Sequence, residues 1–197
     1  LHGAGVAGVD TWEMIVAFLT HWGEVLVPDQ RGMGDTHYPD GEEHGYEVQA
    51  LVADLNALVD HLGWWQFDLG GYSMGGLVSL LFKQQHNDRV GKQFLLESAV
   101  LDRACWTSTV ELRTRYADAA TLLRQDDVRT GVVGFLDAIS PNRRVSAQVE
   151  ELTISRLGER PRGFANALDC VTRAINELDR DALVAAQGDV TSFIGGN

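Results

Sequence analysis

Ser73 stands in the run Gly71-Tyr72-Ser73-Met74-Gly75, a Gly-x-Ser-x-Gly pattern. The short apolar stretch FDLGG (Phe67–Gly71) precedes it, and the apolar run GGLVSLLF (Gly75–Phe82) follows at once. A serine between a strand and a helix can be lifted above the sheet on a strained turn, with glycines on either side letting the backbone pass. The helix N-terminus then points free N–H groups at any anion formed beside the hydroxyl. Those are the requirements of a nucleophile in acyl transfer. The competing reading is a serine that caps the helix, but a cap needs neither flanking glycine nor the Gly-rich loop LHGAG at residues 1–5.

A serine hydroxyl attacks only when a base removes its proton, and the base needs an orienting acid. The histidines are His2, His21, His37, His44, His61 and His86. Only His86 follows Ser73, and at ~1.5 Å of rise per residue along a helix it lies on the order of 20 Å away. It reads as a polar residue at a helix C-terminus.

The elements that must position Ser73 follow from periodicity. LHGAGVAG (Leu1–Gly8) reads as a loop. Asp10 with Glu13 forms a capping-box pattern, and Trp12, Ile15, Val16 and Leu19 follow at helical spacing. GEVLVPD (Gly23–Asp29) reads as a short buried strand ended by Pro28. The loop QRGMGDTHYPDGEEHG leads to an amphipathic helix over Tyr46–Leu62, stopped by Gly63. VGKQFLLES (Val90–Ser98) reads as another strand. Helices alternating with strands predict a parallel sheet with helices on both faces.

From about Leu101 the strand patterns vanish, and residues 101–183 read as an all-helical insertion before GDVTSFIGG (Gly188–Gly196) returns to a strand pattern. The predicted organisation is therefore a core over 1–100, a helical cap over 101–183 and a return to the core over 184–197. Both ends of the chain read as cut through structure, so the N-terminus says nothing of targeting.

Taken in order, these stretches resemble the α/β-hydrolase superfamily. LHGAG resembles its His-Gly oxyanion loop after the third strand, DQRGMGDT (Asp29–Thr36) the segment after the fourth, GYSMGG (Gly71–Gly76) the nucleophile elbow after the fifth, and FLLES (Phe94–Ser98) the sixth strand. The resemblance implies an α/β-hydrolase fold with a helical cap and Ser73 as nucleophile. It implies oxyanion donors in the backbone N–H groups of Met74 and Ala4, and a substrate site touched by Gly3 and Tyr72. It gives His2 a loop-organising role. In most of the family the acid follows the strand that VTSFIGGN resembles; in a minority it follows the sixth strand, where Glu97 stands. The implied activity is hydrolysis of an ester or related acyl bond. C–C bond hydrolysis of a small diketone-like substrate uses the same constellation, and a binding protein that keeps the pocket without catalysis is the reading from outside the enzymes.

Other residues read as structural. Asp29 and Arg31 are expected to fix their loop, and Trp64 and Trp65 to pack. Trp106, Tyr116, Phe135 and Phe164 are candidates to line an apolar pocket, while Arg113, Arg115, Arg124, Arg143 and Arg144 are expected on a solvated helix surface. A net charge of -12 argues against nucleic acid or an anionic membrane as partner. No apolar run approaches the ~18 residues of a membrane span. Cys105 and Cys170 show no metal-ligand spacing and read as reduced thiols, which fits the cytoplasm. No P-loop or dinucleotide fingerprint is present, and no cofactor is implied. The expected partner is a small-molecule acyl substrate.

Overall fold

The computed structural model describes residues 1–99 and 106–195, apart from the side chain of Trp106. The 100/101 boundary, Cys105, the Trp106 side chain and the last two residues therefore lie outside the described residues.

The core is built on a parallel sheet in the order β1 (Phe67–Tyr72), β2 (Val90–Leu96), β3 (Thr191–Phe193). Helix α3 (Met74–Gln85) packs directly on β1 and β2. It is apolar nearly all round and buried along Met74–Lys83, as a helix enclosed on several sides must be. Beyond it lies α2 (Val48–His61), whose Val48, Leu51, Val52, Leu55 and Val59 form one buried stripe. Each such side chain contributes about 1.5–3 kcal/mol of transfer free energy. Gly63 ends this segment at φ +71, a conformation glycine adopts without a Cβ penalty.

Two parts of the N-terminal region differ from expectation. Residues 23–29 are partly buried but form no strand, because no described residue pairs with them edge to edge. The capping box at Asp10 also does not form. Helix α1 (Gly8–Leu19) starts three residues earlier, with Ala7 at the cap position, and the Gly8 N–H donates to the Asp29 carboxylate at 2.6 Å. Asp10 instead pairs with Arg156 at 3.3 Å. The predicted apolar face of α1 is only partly covered, with Trp12 and Val16 half-buried but Ile15 41% and Leu19 43% exposed, and Met14 and Phe18 beside it lie open.

The segment read as a cap carries four helices: α4 (Trp106–Arg124), α5 (Val128–Ile139), α6 (Ala147–Leu157) and α7 (Pro161–Glu177). Helices α4, α5 and α7 form its centre. Ser146 caps α6 by accepting from the Val149 N–H. Helix α8 (Arg180–Ala185) packs on α3, and the Gln187 amide donates to Leu80 O and Leu183 O, so this segment is tied to the core. The predicted cap limit at residue 183 thus falls within α8. The final strand is shorter than read, three residues long and exposed.

Cap and core meet through two arginines and a glycine contact. Arg160 donates to Gly34 O and Thr36 O and pairs with Glu43, while Arg173 donates to Tyr46 O and pairs with Glu47. A Cβ on Gly163 would run into Gly32 O. Gly163→Ala is expected to cost about 2–3 kcal/mol, because the obstacle is backbone and cannot swing away. A urea titration against the parent chain reads that cost as a lower midpoint at unchanged slope.

Several side chains stand elsewhere than predicted. Trp64 packs on Phe67, but Trp65 is 81% exposed with the Arg89 guanidinium near its ring, so it is a surface residue. Arg113 is not on a solvated surface: it is buried, stacks over Tyr116 and donates to Ala99 O. Arg124 and Arg143 lie in ion pairs with Asp169 and with Asp137 and Glu150. Cys170 is a free, buried thiol whose pKa burial pushes up to about 12, so it is chemically quiet. No helix among the described residues is long and apolar enough to cross a membrane.

Candidate active site

Ser73 sits between the last residue of β1 and the first of α3, at φ 52 and ψ -117. A non-glycine residue there is strained, and such strain persists only where its surroundings fix it. The surroundings do so. The Ser73 N–H donates to Leu96 O at 2.9 Å, and Ser73 O accepts from Gly76, Leu77 and Ala99. The side chain caps nothing: no hydrogen bond from the helix reaches it. The capping alternative is therefore removed, and the half-buried hydroxyl is left at the corner.

Both flanking glycines are steric necessities. A Cβ on Gly71 would strike Gly75 O, and one on Gly75 would lie 2.5 Å from both Leu1 O and His2 O. Gly75→Ala is expected to cost about 3 kcal/mol and to displace the elbow. Gly70→Ala is the control. Nothing lies within 4 Å of its Cβ, so its urea midpoint should stay near the parent's.

The LHGAG loop reaches the elbow directly. Leu1 O accepts from Tyr72 N–H at 3.0 Å, beside the end of β1. A Cβ on Gly3 would lie 3.1 Å from the Tyr72 ring and 3.4 Å from Ser73 Cβ. Gly3 and Tyr72 are thus brought to the serine. No hydrogen bond of the Ala4 or Met74 N–H is seen among the described residues.

His2 is fully buried and both ring nitrogens are engaged. Nδ1 lies 2.7 Å from Gly3 O, and Nε2 accepts the Gln30 N–H at 2.8 Å, which assigns the Nδ1–H tautomer. Gln30 closes the circuit by donating from its side chain to His2 O. Burial pushes the imidazole pKa down to about 4, so the ring is neutral near pH 7. It organises the loop and has no lone pair to spare as a base.

The neighbouring loop is held as expected. The Asp29 carboxylate accepts from Gly8 and Asp35 N–H groups, and Thr36 donates to Asp29 O. Arg31 forms a two-pronged pair with Asp54 at 2.6 and 2.5 Å, which holds its guanidinium charged above the usual arginine range.

Glu97, at φ 48 just past β2, accepts the Gly195 N–H on its carboxylate, tying β2 to the segment after β3. No histidine is bonded to it or to Ser73 among the described residues. His86 is at the far end of α3, stacked on Phe82. Burial, and then the Glu97 charge, hold the Tyr72 phenol protonated above its ordinary range.

The cap's aromatic candidates form a row. Tyr116 packs on Phe135 (5.2 Å between centroids) and Phe135 on Phe164 (5.1 Å). Phe164 presses on Gly5, where a Cβ would lie 2.5 Å from its ring. Met33 meets Gly5 from another side, its sulfur accepting the Gly5 N–H at 3.2 Å. Met33 is invisible to motif reasoning. Gly163, a helix-interior glycine beside Phe164, was the available sign of a close approach there.

A family model described as alpha/beta hydrolase fold matches residues 1–129. The chain is 30% identical over 86 residues to a soluble epoxide hydrolase of Corynebacterium sp. (strain C12), covering 44% of this chain and 29% of that protein. It is 34% identical over 94 residues to a 2-hydroxy-6-oxo-2,4-heptadienoate hydrolase of Pseudomonas putida, covering 48% and 33%. The chain therefore spans about a third of the length of these curated relatives. Among solved structures, one from a study of carboxylesterases of Nitrososphaera gargenis superposes with a TM-score of 0.70 at 18% identity, covering 100% of this chain and 71% of that one. The 2-hydroxy-6-oxo-6-phenylhexa-2,4-dienoate hydrolase of Rhodococcus sp. strain RHA1 superposes at 0.67 and 24% identity, covering 99% and 71%. With its strained serine corner, parallel sheet and helical insertion, the chain belongs to the alpha/beta hydrolase fold family.

Proposed function

We propose that this chain is the nucleophile-bearing part of a serine hydrolase that cleaves an ester or related acyl bond through an acyl-enzyme on Ser73. The observation that carries the reading is the strained φ of Ser73 between two glycines that admit no Cβ, with the Ala4-bearing loop against it. Ser73 Oγ attacks the carbonyl carbon as a base takes its proton. The carbonyl oxygen becomes an oxyanion between the Met74 and Ala4 N–H groups. Collapse expels the alcohol, which takes up the proton, and water then releases the acid and restores the serine. Each oxyanion donor is worth about 10²–10³ in rate.

No histidine in the described residues is bonded to Ser73. The reading therefore assigns the base, and its acid unless Glu97 serves, to residues outside this chain. These 197 residues alone are expected to turn over an activated ester slowly or not at all.

C–C bond hydrolysis of a small diketone-like substrate is the second reading, favoured by the 34% identity to the heptadienoate hydrolase. The test is a substrate panel on the full-length gene product: short p-nitrophenyl esters against a vinylogous diketone acid. Faster ester cleavage supports the proposal. Faster diketone cleavage transfers it to the C–C reading. If neither is cleaved while a small apolar ligand raises the melting temperature, the protein is a binding module.

A further inference from the structure

The Ala4 N–H can serve an oxyanion only if its loop is held still; the carbonyl of its own peptide, Gly3 O, is held by His2 Nδ1 at 2.7 Å, but on the other side of Ala4 the next residue is glycine at φ +81, a position with little intrinsic stiffness. Two side chains hold that second side. Met33, 1% exposed, accepts the Gly5 N–H on its sulfur at 3.2 Å. Phe164, fully buried on α7, lays its ring against the Gly5 Cα, so close that a Cβ there would lie 2.5 Å from it. Each side chain is itself anchored. Met33 N–H donates to Gln30 O, and Gln30 is bonded to His2 through both its backbone and its side chain. Phe164 is braced by Phe135 at 87° and by Gly163, whose Cα abuts Gly32 O.

We infer that Met33 and Phe164 are positioning residues that clamp Gly5 and so aim the Ala4 N–H at the reacting oxygen, making cap helix α7 a working part of the core site. The inference rests on the Ser73 reading for its catalytic consequence, but the clamp itself is a property of the folded chain. It also explains why Gly5 must be glycine: the clamp leaves no room for a methyl group.

The test uses two conservative variants that should fold, Met33→Leu and Phe164→Leu. Amide hydrogen exchange of the chain is read by NMR at Ala4 and Gly5, with Leu55 in α2 as the internal reference. The expected result is about three- to tenfold faster exchange at Gly5 in both variants, the equilibrium worth of one hydrogen bond, with Leu55 unchanged. In the full-length protein, Phe164→Leu should lower kcat on an ester about tenfold at unchanged KM, since the donor acts in the transition state. Unchanged exchange at residues 4 and 5 in folded variants would overturn the clamp. Raised KM at unchanged kcat would overturn its catalytic role and make Phe164 a pocket wall. Loss of all Ser73-dependent hydrolysis in the parent would sink the hydrolase reading and leave the exchange result standing.

Discussion

Ser73→Ala in the full-length protein is expected to lower kcat for an activated ester by about 10⁴-fold or more, with a far smaller change in KM and in thermal stability. The reasoning is specific to this corner. The side chain makes no hydrogen bond that the fold depends on, so its loss leaves the backbone bonds of Ser73 to Leu96, Gly76, Leu77 and Ala99 in place. Alanine carries the same Cβ, so the strain at φ 52 stays about the same. Only the nucleophile disappears. Residual hydrolysis from the Met74 and Ala4 donors should persist above the uncatalysed rate. Steady-state kinetics alongside a thermal melt checks both halves of the prediction. A Ser73→Ala protein that keeps parental kcat would move the nucleophile elsewhere.

The second large effect is acid lability traced to His2. Burial in the fold pushes its pKa down to about 4 from the ordinary imidazole value of 6.5. Between those values the unfolded chain binds a proton that the folded chain refuses, so stability falls as pH falls through this window. At 1.36 kcal/mol per unit, the full contribution is about 3 kcal/mol, lost once the pH is below about 4. The cause is burial of a ring whose Nε2 must stay unprotonated to accept the Gln30 N–H. The Leu1 ammonium, lowered by burial to about 5, adds its own loss between pH 8 and 5 in the chain as tested. The His2 share is therefore read by difference. His2→Asn is expected to be less stable than the parent at pH 7, and to lose less stability between pH 6.5 and 4. Urea midpoints across that range, parent against variant, decide it. Parallel curves would mean His2 does not titrate with folding.

The legible parts of the fold were those whose demands are local. The glycines around Ser73 and in LHGAG are written into the sequence because backbone must pass backbone there, as the Gly75 contact with Leu1 and His2 shows. The stripe of α2 was legible because its period matches its single buried face. What failed depended on distant partners. Residues 23–29 have strand composition, yet a strand exists only beside another, and none of the described residues supplies one. The Asp10 cap was pre-empted by Asp29, which reaches the first turn of α1 from another loop. Arg113 and Trp65 exchanged their expected places, one buried under the cap and one in solvent. Motif reasoning singled out Ser73, Met74, Ala4, Gly3 and Tyr72 as site candidates, and in the structure Gly3 lies against the Tyr72 ring and Ser73 Cβ. It missed Met33 and read Phe164 only as a candidate pocket wall, since nothing local in either residue speaks of Gly5.

The measurement that tests the central claim most directly is covalent trapping. The full-length protein is treated with a fluorophosphonate, digested, and the modified residue located by tandem mass spectrometry. The account predicts one phosphonate per chain, on Ser73, with labelling slowed by a competing short-chain ester and absent in Ser73→Ala. A phosphonate on any other residue, or none while ester hydrolysis continues, would contradict it.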